Sequence, residues 1–178
     1  MTITDANFNI LSDARTDYKN NHVELPEIDV NAVKKSYFGL AIHNHPSGIP
    51  LPHYIDLETG IIKNKVKYNI IYSSNGFTII RNKHFDTKGP IDESRYKKME
   101  DDYTEAYQER KDYLNRLSTI KKEEFKQSID INSIPAMQYS KRIKKIDSDV
   151  VNSTFKEQID IFNSHLSKYG FQLKFIKP

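Results

Sequence analysis

Cysteine is absent from the 178-residue chain. Disulfides and thiolate metal sites are therefore excluded, and any metal must be held by His, Asp, Glu or water. Long apolar runs are missing too. Nothing approaches the roughly 18 consecutive apolar residues of a membrane-spanning helix, so no membrane partner is expected. The opening residues, MTITDANFN, lack the basic-then-apolar pattern of a secretory leader, which gives the expectation of a cytoplasmic protein or part of something assembled there. Excess charge is also scarce. Twenty-seven Lys and Arg against 24 Asp and Glu leave a formal net charge of +3, too small by itself to argue for nucleic acid as a partner. There is no internal repeat and no low-complexity tract. With 37% hydrophobic and 29% charged residues, the chain suits one domain, or a small domain with an extension, having a modest core and some long solvated helix.

What is present changes character near residue 85. Residues 1–22 are polar apart from the patch FNIL, Phe8 to Leu11. In VELPEIDVNAVKKSYFG, Asp29 or Asn31 caps a short expected helix that runs to Ser36, with Gly39 just past it. FGLAIHNH reads as a short buried strand. PSGIPLP is a turn, and Pro52 suits the first turn of a short helix that begins near His53. KVKYNIIYSSNGFTIIRN is a hairpin signal, with two β-rich runs flanking SSNG; the Asn-Gly pair favours a tight turn, and no further role is read from it. From Asp92 to about Ser128 the pattern is charged and helical, and Tyr96, Met99, Tyr103, Tyr107, Leu114 and Leu117 form one apolar stripe. Pro135 breaks it. A second helix is expected over about Ser148 to Lys168, stopping at Gly170, and FQLKFI alternates as a closing strand.

The stretch LAIHNHPSGIPLPHYIDL carries the chemistry. His43 and His45 are two apart on the expected strand, so both side chains share a face at its C-terminal end. Asp56 follows a proline-rich turn and falls in the first turn of the next helix, where the helix dipole favours a negative charge. Two imidazoles and one carboxylate are a three-ligand set for catalytic zinc that leaves one position for water. An isolated His-x-His is common without metal; here the pattern is longer.

That longer pattern resembles the JAMM metalloprotease motif of the MPN domain superfamily: His-x-His, seven residues, Ser, two residues, Asp. Here His43-Asn44-His45 is followed by seven residues, then His53, two residues and Asp56. HNHPSG and the later prolines look most like the RadC-like branch. The wider text, from VELPE to KYNIIYSSNGFTI, is similar to JAMM-like domains found with minor head proteins of phages of Gram-positive bacteria. The resemblance covers roughly residues 10–82. It implies a zinc hydrolase that cleaves peptide or isopeptide bonds, with Zn2+ held by His43, His45 and Asp56. The partners implied are a protein or peptide substrate and phage structural proteins, in the host cytoplasm or the virion. An upstream Glu would serve as general base, and the motif serine would help hold the water or oxyanion.

The chain departs from that pattern twice. His53 stands at the motif serine. It can hydrogen-bond the bound water, become a fourth zinc ligand three residues before Asp56 on one helix face, or be a solvated helix-start residue. No Glu precedes Glu24. Counting back against the RadC-like pattern puts the catalytic Glu at Asp13, whose arm is shorter by one methylene, about 1.5 Å. Asp17 and Glu24 are the other candidates, and each of the three carboxylates taken singly reads as solvated surface.

The expected fold is α/β: an MPN-like (JAMM) sheet flanked by helices over residues 1–84, then a helical extension with a closing strand over 85–178. Two further functions stand beside the peptidase: a non-catalytic MPN-like scaffold module in a phage or other assembly, and a metal-dependent nuclease, which the basic run KRIKK at 141–145 supports weakly. That run more often marks a solvated face. The tyrosine stripe has the form of a base-stacking platform, although at helical spacing it more often packs on a neighbouring helix. His22, His84 and His165 have no partner pattern.

Overall fold

The computed structural model describes residues 2–5, 10–13, 38–45, 47–58, 66–83, 85, 93–130 and 134–177. They form an α/β structure built on a six-stranded mixed sheet of order β2-β1-β3-β4-β5-β6. The strands are β1 (Thr2–Asp5), β2 (Ile10–Asp13), β3 (Phe38–Asn44), β4 (Val66–Ser73), β5 (Gly76–Asn82) and β6 (Phe171–Ile176). Every neighbouring pair is antiparallel except β3 and β4. A parallel pair needs a long crossover, and this one carries a turn over residues 47–52 and the one-turn helix α1 (Tyr54–Leu57). The helix expected up to Ser36, and the carboxylates Asp17 and Glu24, lie outside the described residues.

The hairpin between β4 and β5 forms as expected, shifted by one residue. Ser73 pairs with Gly76, so the loop is Ser74-Asn75 and Gly76 opens β5. Glycine is needed there for two reasons. Its φ is +138°, and a Cβ would lie 2.7 Å from the Ile176 carbonyl oxygen and from the Phe175 ring of β6. Gly76→Ala should therefore cost about 1–3 kcal/mol, the range of overpacked sites. A urea midpoint equal to that of the wild type would show that β6 can move aside.

α2 (Glu93–Gln127) matches the expected long helix. Its buried face is Met99, Tyr103 and Ala106, with Tyr96 half-buried. Tyr107 is 48% exposed. Relative to Tyr103, Met99 and Ala106 lie about 40° and 60° to one side of the helix and Tyr107 about 40° to the other, so Ala106 rather than Tyr107 continues the buried face. Leu114 and Leu117 are half-buried. The expected second helix is instead two. α3 (Ala136–Ser153) starts directly after Pro135, and α4 (Phe155–Leu166) follows a break at Thr154. Proline lacks an N–H, so it breaks one helix and equally opens the next. The Thr154 break is stabilised by its own hydroxyl, which donates to the Val150 carbonyl at 2.7 Å, and by Gln158 Nε2, which donates to the Val151 carbonyl at 2.8 Å. A short 3₁₀ turn ends at Gly170, φ 81°, the expected cap. β6 then closes the sheet beside β5, with Leu173 opposite Ile80.

Among the described residues, one core joins the sheet to the helices that follow it. Ile71, Ile80, Phe171 and Leu173 from the sheet meet Met99, Tyr103 and Ala106 of α2 and Phe155, Ile159, Phe162 and Leu166 of α4. Leu51 and Leu57 of the β3–β4 crossover join the same cluster. The helices after residue 85 therefore cover the sheet face on which the crossover sits.

Candidate metal centre

His43 lies near the end of β3, in register with Ile71 of β4, which is fully buried. His45 comes one residue past the strand, but its N–H still donates to the Tyr72 carbonyl at 2.9 Å, so the ladder carries it onto the same face. Asp56, in α1, completes the cluster. His43 Nε2 is 3.1 Å from Asp56 Oδ1, and His45 Nε2 is 3.3 Å from Asp56 Oδ2. One ligand atom from each of the three residues lies within 4.8 Å of the other two.

This geometry fits a metal on three counts. Tetrahedral zinc with bonds near 2.0–2.1 Å sets its ligand atoms about 3.3 Å apart, and the two nitrogen–oxygen separations match that edge. His43 Nε2 is buried and has no aligned hydrogen-bond partner, despite the nearby carboxylate. Finally, His45 Nδ1 is 3.2 Å from the Ile49 carbonyl oxygen. A carbonyl only accepts, so in the neutral ring Nδ1 carries the proton and Nε2 keeps its lone pair toward Asp56. Metal-binding histidines commonly have such an outer hydrogen bond.

Burial alone would push the Asp56 carboxyl up. The close approach of the His43 and His45 rings and the His53 N–H outweigh burial and hold it well below the usual carboxylate range. That N–H donates to Asp56 Oδ2 at 2.7 Å, fixing the carboxylate from the N-cap of α1. Pro52 stands one residue before this cap, rather than in the helix's first turn. The His53 ring stacks on His45, with centroids 4.6 Å apart and planes 19° from parallel. Its side chain is exposed, and its nitrogens are not among those that converge with His43, His45 and Asp56. Desolvation of the ring face stacked on His45, then the charge of His45, lower its pKa. His53→Ser keeps the backbone N–H on Asp56, so zinc affinity should stay nearly unchanged when titrated against a chelating dye. A large loss of affinity would mean that the imidazole turns in to ligate.

Residues distant in sequence hold the turn that carries the site. Ser73 Oγ and Asn75 Nδ2 donate to the Gly48 carbonyl at 3.0 and 2.8 Å. SSNG is therefore more than a hairpin turn, because it anchors the turn at Gly48. Asn69 Nδ2 donates to the Asp56 carbonyl at 3.2 Å. From α2, the Tyr103 hydroxyl donates to the Pro52 carbonyl at 3.1 Å, and Tyr96 donates to Glu58 at 3.0 Å. Tyr103 is thus buried and engaged, unlike a stacking platform for bases. Burial, reinforced by the Asp56 charge, pushes its hydroxyl up to about 12.

Asp13 ends β2. It pairs with Thr2, which pairs with Ile42, so Asp13 stands level with the residue before His43. Two inter-strand spacings, about 9.5 Å, separate it from that position. Among the described residues, Asp56 is the only carboxylate in the cluster. The KRIKK cations lie exposed on α3. His165, given no role by the sequence, is 2.8 Å from Glu109 and 3.8 Å from Glu105, and nearby Asp102 pairs with Lys168 at 2.8 Å and accepts from Tyr169.

Comparison with family models, with curated proteins and with solved structures returned no match to the chain. Function therefore has to be argued from the site. No helix among the described residues is long and apolar enough to cross a membrane.

Proposed function

We propose that this protein is a zinc-dependent peptidase or isopeptidase of JAMM type on an MPN-like fold. One observation carries the reading: two histidine Nε2 atoms, one buried and unbonded and one freed by Ile49, face a single carboxylate at tetrahedral-edge distances. Zinc, when bound, would lower the pKa of its water and polarise a substrate carbonyl. The chain's own groups hold and orient. His43 and His45 would give ring nitrogens, Asp56 would give a carboxylate oxygen, and the His53 N–H keeps that carboxylate from rotating. The His53 ring stacks on His45, and with three protein ligands a bound zinc would have a fourth position for water. Asp13 is the residue proposed to accept the water's proton. The wider resemblance makes phage structural proteins the partners to test, in the host cytoplasm or the virion.

The distance of Asp13 supports a second reading. A base must come within hydrogen-bond reach of its proton, directly or through one water. A module without such a base would bind zinc and scaffold an assembly. Metal-dependent nuclease activity ranks below both, because the basic run is spread over a solvated helix. The test uses zinc-loaded protein and a mixed peptide library read by mass spectrometry. New termini that appear with wild type and vanish with the His43→Ala/His45→Ala double variant support the peptidase. One zinc per chain with no cleavage, and none altered by Asp13→Asn, supports the scaffold.

A further inference from the structure

Arg110 is a half-buried cation for which neither the fold nor the metal centre accounts. It lies on α2 seven residues after Tyr103, two turns along nearly the same face, about 10.5 Å away. Tyr103 is bonded to Pro52, next to His53, so Arg110 faces the same side of the molecule as the metal cluster. Its Nε donates to Gln158 Oε1 at 2.7 Å, and its guanidinium carbon lies 5.8 Å from the centre of the Tyr107 ring. No carboxylate among the described residues forms a salt bridge with it. Only the Tyr103 and Tyr107 hydroxyls oppose the burial that lowers its pKa.

The holder is as informative as the held. Gln158 is completely buried. Its Nε2 donates to the Val151 carbonyl at 2.8 Å and to Thr154 Oγ1 at 3.0 Å, so its carbonyl oxygen is left to face Arg110. A neutral acceptor thus orients the guanidinium without cancelling its charge. A glutamate there would have given a closed internal pair. Burying part of a cation without a counter-ion is costly, and a ligand that supplies the anion relieves that cost. The planar fork of arginine suits a carboxylate, which it binds through two parallel N–H···O bonds. The guanidinium lies against the Tyr107 ring, one turn back along α2 toward Tyr103, and Tyr103 holds the Pro52 carbonyl at the root of the metal loop. An anion on Arg110 would therefore sit toward the loop that carries the metal cluster.

The geometry points to Arg110 as the substrate-anchoring residue of this site, binding a carboxylate carried by the substrate close to the bond that is cut. The inference rests on the peptidase reading and narrows it: the substrates are peptides with an acidic side chain or a free C-terminus near the scissile carbonyl. Tyr107, exposed beside the guanidinium, would flank a carboxylate bound there.

The test is calorimetric titration of zinc-loaded protein with small peptides in four forms: acidic or neutral side chain, and free or amidated C-terminus. Charged hydrogen bonds of this kind are typically worth a factor of about 10–100. Wild type should bind one carboxylate-bearing form about 10–100-fold tighter than the fully neutral form, and the form preferred names the source of the carboxylate. Arg110→Gln should erase that preference while leaving bound zinc at one per chain. Arg110→Lys should restore part of it, which a merely structural role would not do. Where cleavage is measurable, the loss should fall on KM rather than on kcat. Equal affinity for charged and neutral peptides in wild type overturns the assignment, as does an undiminished preference in Arg110→Gln. If zinc fails to bind, the peptidase reading falls. The same titration on metal-free protein then decides the anchor alone: a preference that depends on Arg110 keeps it, and no preference removes it.

Discussion

Asp56→Asn should weaken zinc binding by more than about 100-fold, beyond the 10–100-fold typical of changes to outer-shell partners. The substitution keeps the shape of the side chain, and one oxygen remains to accept from the His53 N–H. It removes the only carboxylate in the described cluster, leaving two neutral imidazoles. The readout is thermal melting with and without zinc. A ligand at 100 times its Kd stabilises the folded state by about 2.7 kcal/mol, so wild type should melt higher with zinc. Asp56→Asn should show no zinc-induced shift, and its metal-free form should melt below metal-free wild type at neutral pH, because the carboxylate's favourable contacts with the two rings are lost. An equal zinc-induced shift in both proteins would place the metal elsewhere. The carboxylate also sets a pH dependence in the metal-free protein. Its folded pKa is depressed, so its contribution to stability is present above the ordinary value of about 3.9 and is lost as pH falls toward the folded pKa. Asp56→Asn should flatten that acid limb of stability against pH.

Phe162→Ala should cost about 3–5 kcal/mol, the range for large aromatic truncations in cores. That is a large share of the roughly 5–15 kcal/mol that holds a domain folded. Phe162 is 1% exposed and stacks on Tyr103 with ring centroids 5.6 Å apart. Tyr103 in turn holds Pro52, at the root of the metal loop. Two effects are therefore expected: a lower denaturant midpoint at an unchanged m-value, and weaker zinc binding in the fraction that remains folded. A variant with lowered stability and unaltered zinc affinity would mean that the loop is held by Ser73 and Asn75 alone. Tyr103→Phe separates the two effects, since it keeps the ring stack and removes only the hydrogen bond to Pro52.

The local elements were legible because local periodicity and turn chemistry govern them. The strand that carries His43 and leads into His45, the β4–β5 hairpin, the long charged helix and the alternating closing strand all appear where their patterns place them. The exceptions share a cause. The hairpin loop is displaced by one residue, and Gly76 instead opens β5 where a Cβ would meet Phe175 and Ile176, about 100 residues later in the chain. Tyr107 leaves the buried stripe, because the sheet and α4 admit only the face carrying Met99, Tyr103 and Ala106. The helix boundary at Thr154 depends on Gln158, whose bonds to Val151 and Thr154 accept a break that the apolar pattern does not announce.

The amino-acid sequence alone determined the identity and spacing of His43, His45 and Asp56, because two-residue alternation on a strand and a proline-bounded turn are local constraints. Only the tertiary structure decided that these three meet, that His53 stacks on His45 rather than converging with the ligands, and that Tyr103, 51 positions after Pro52, braces their loop. It also decided that Arg110 is held by a neutral glutamine rather than an acid. The reason is physical. These outcomes depend on which distant groups share a low-dielectric interior, where each buried donor needs an acceptor and each charge an opposite. Such pairings follow from the packing of the helices on the sheet, which no short stretch of the chain encodes.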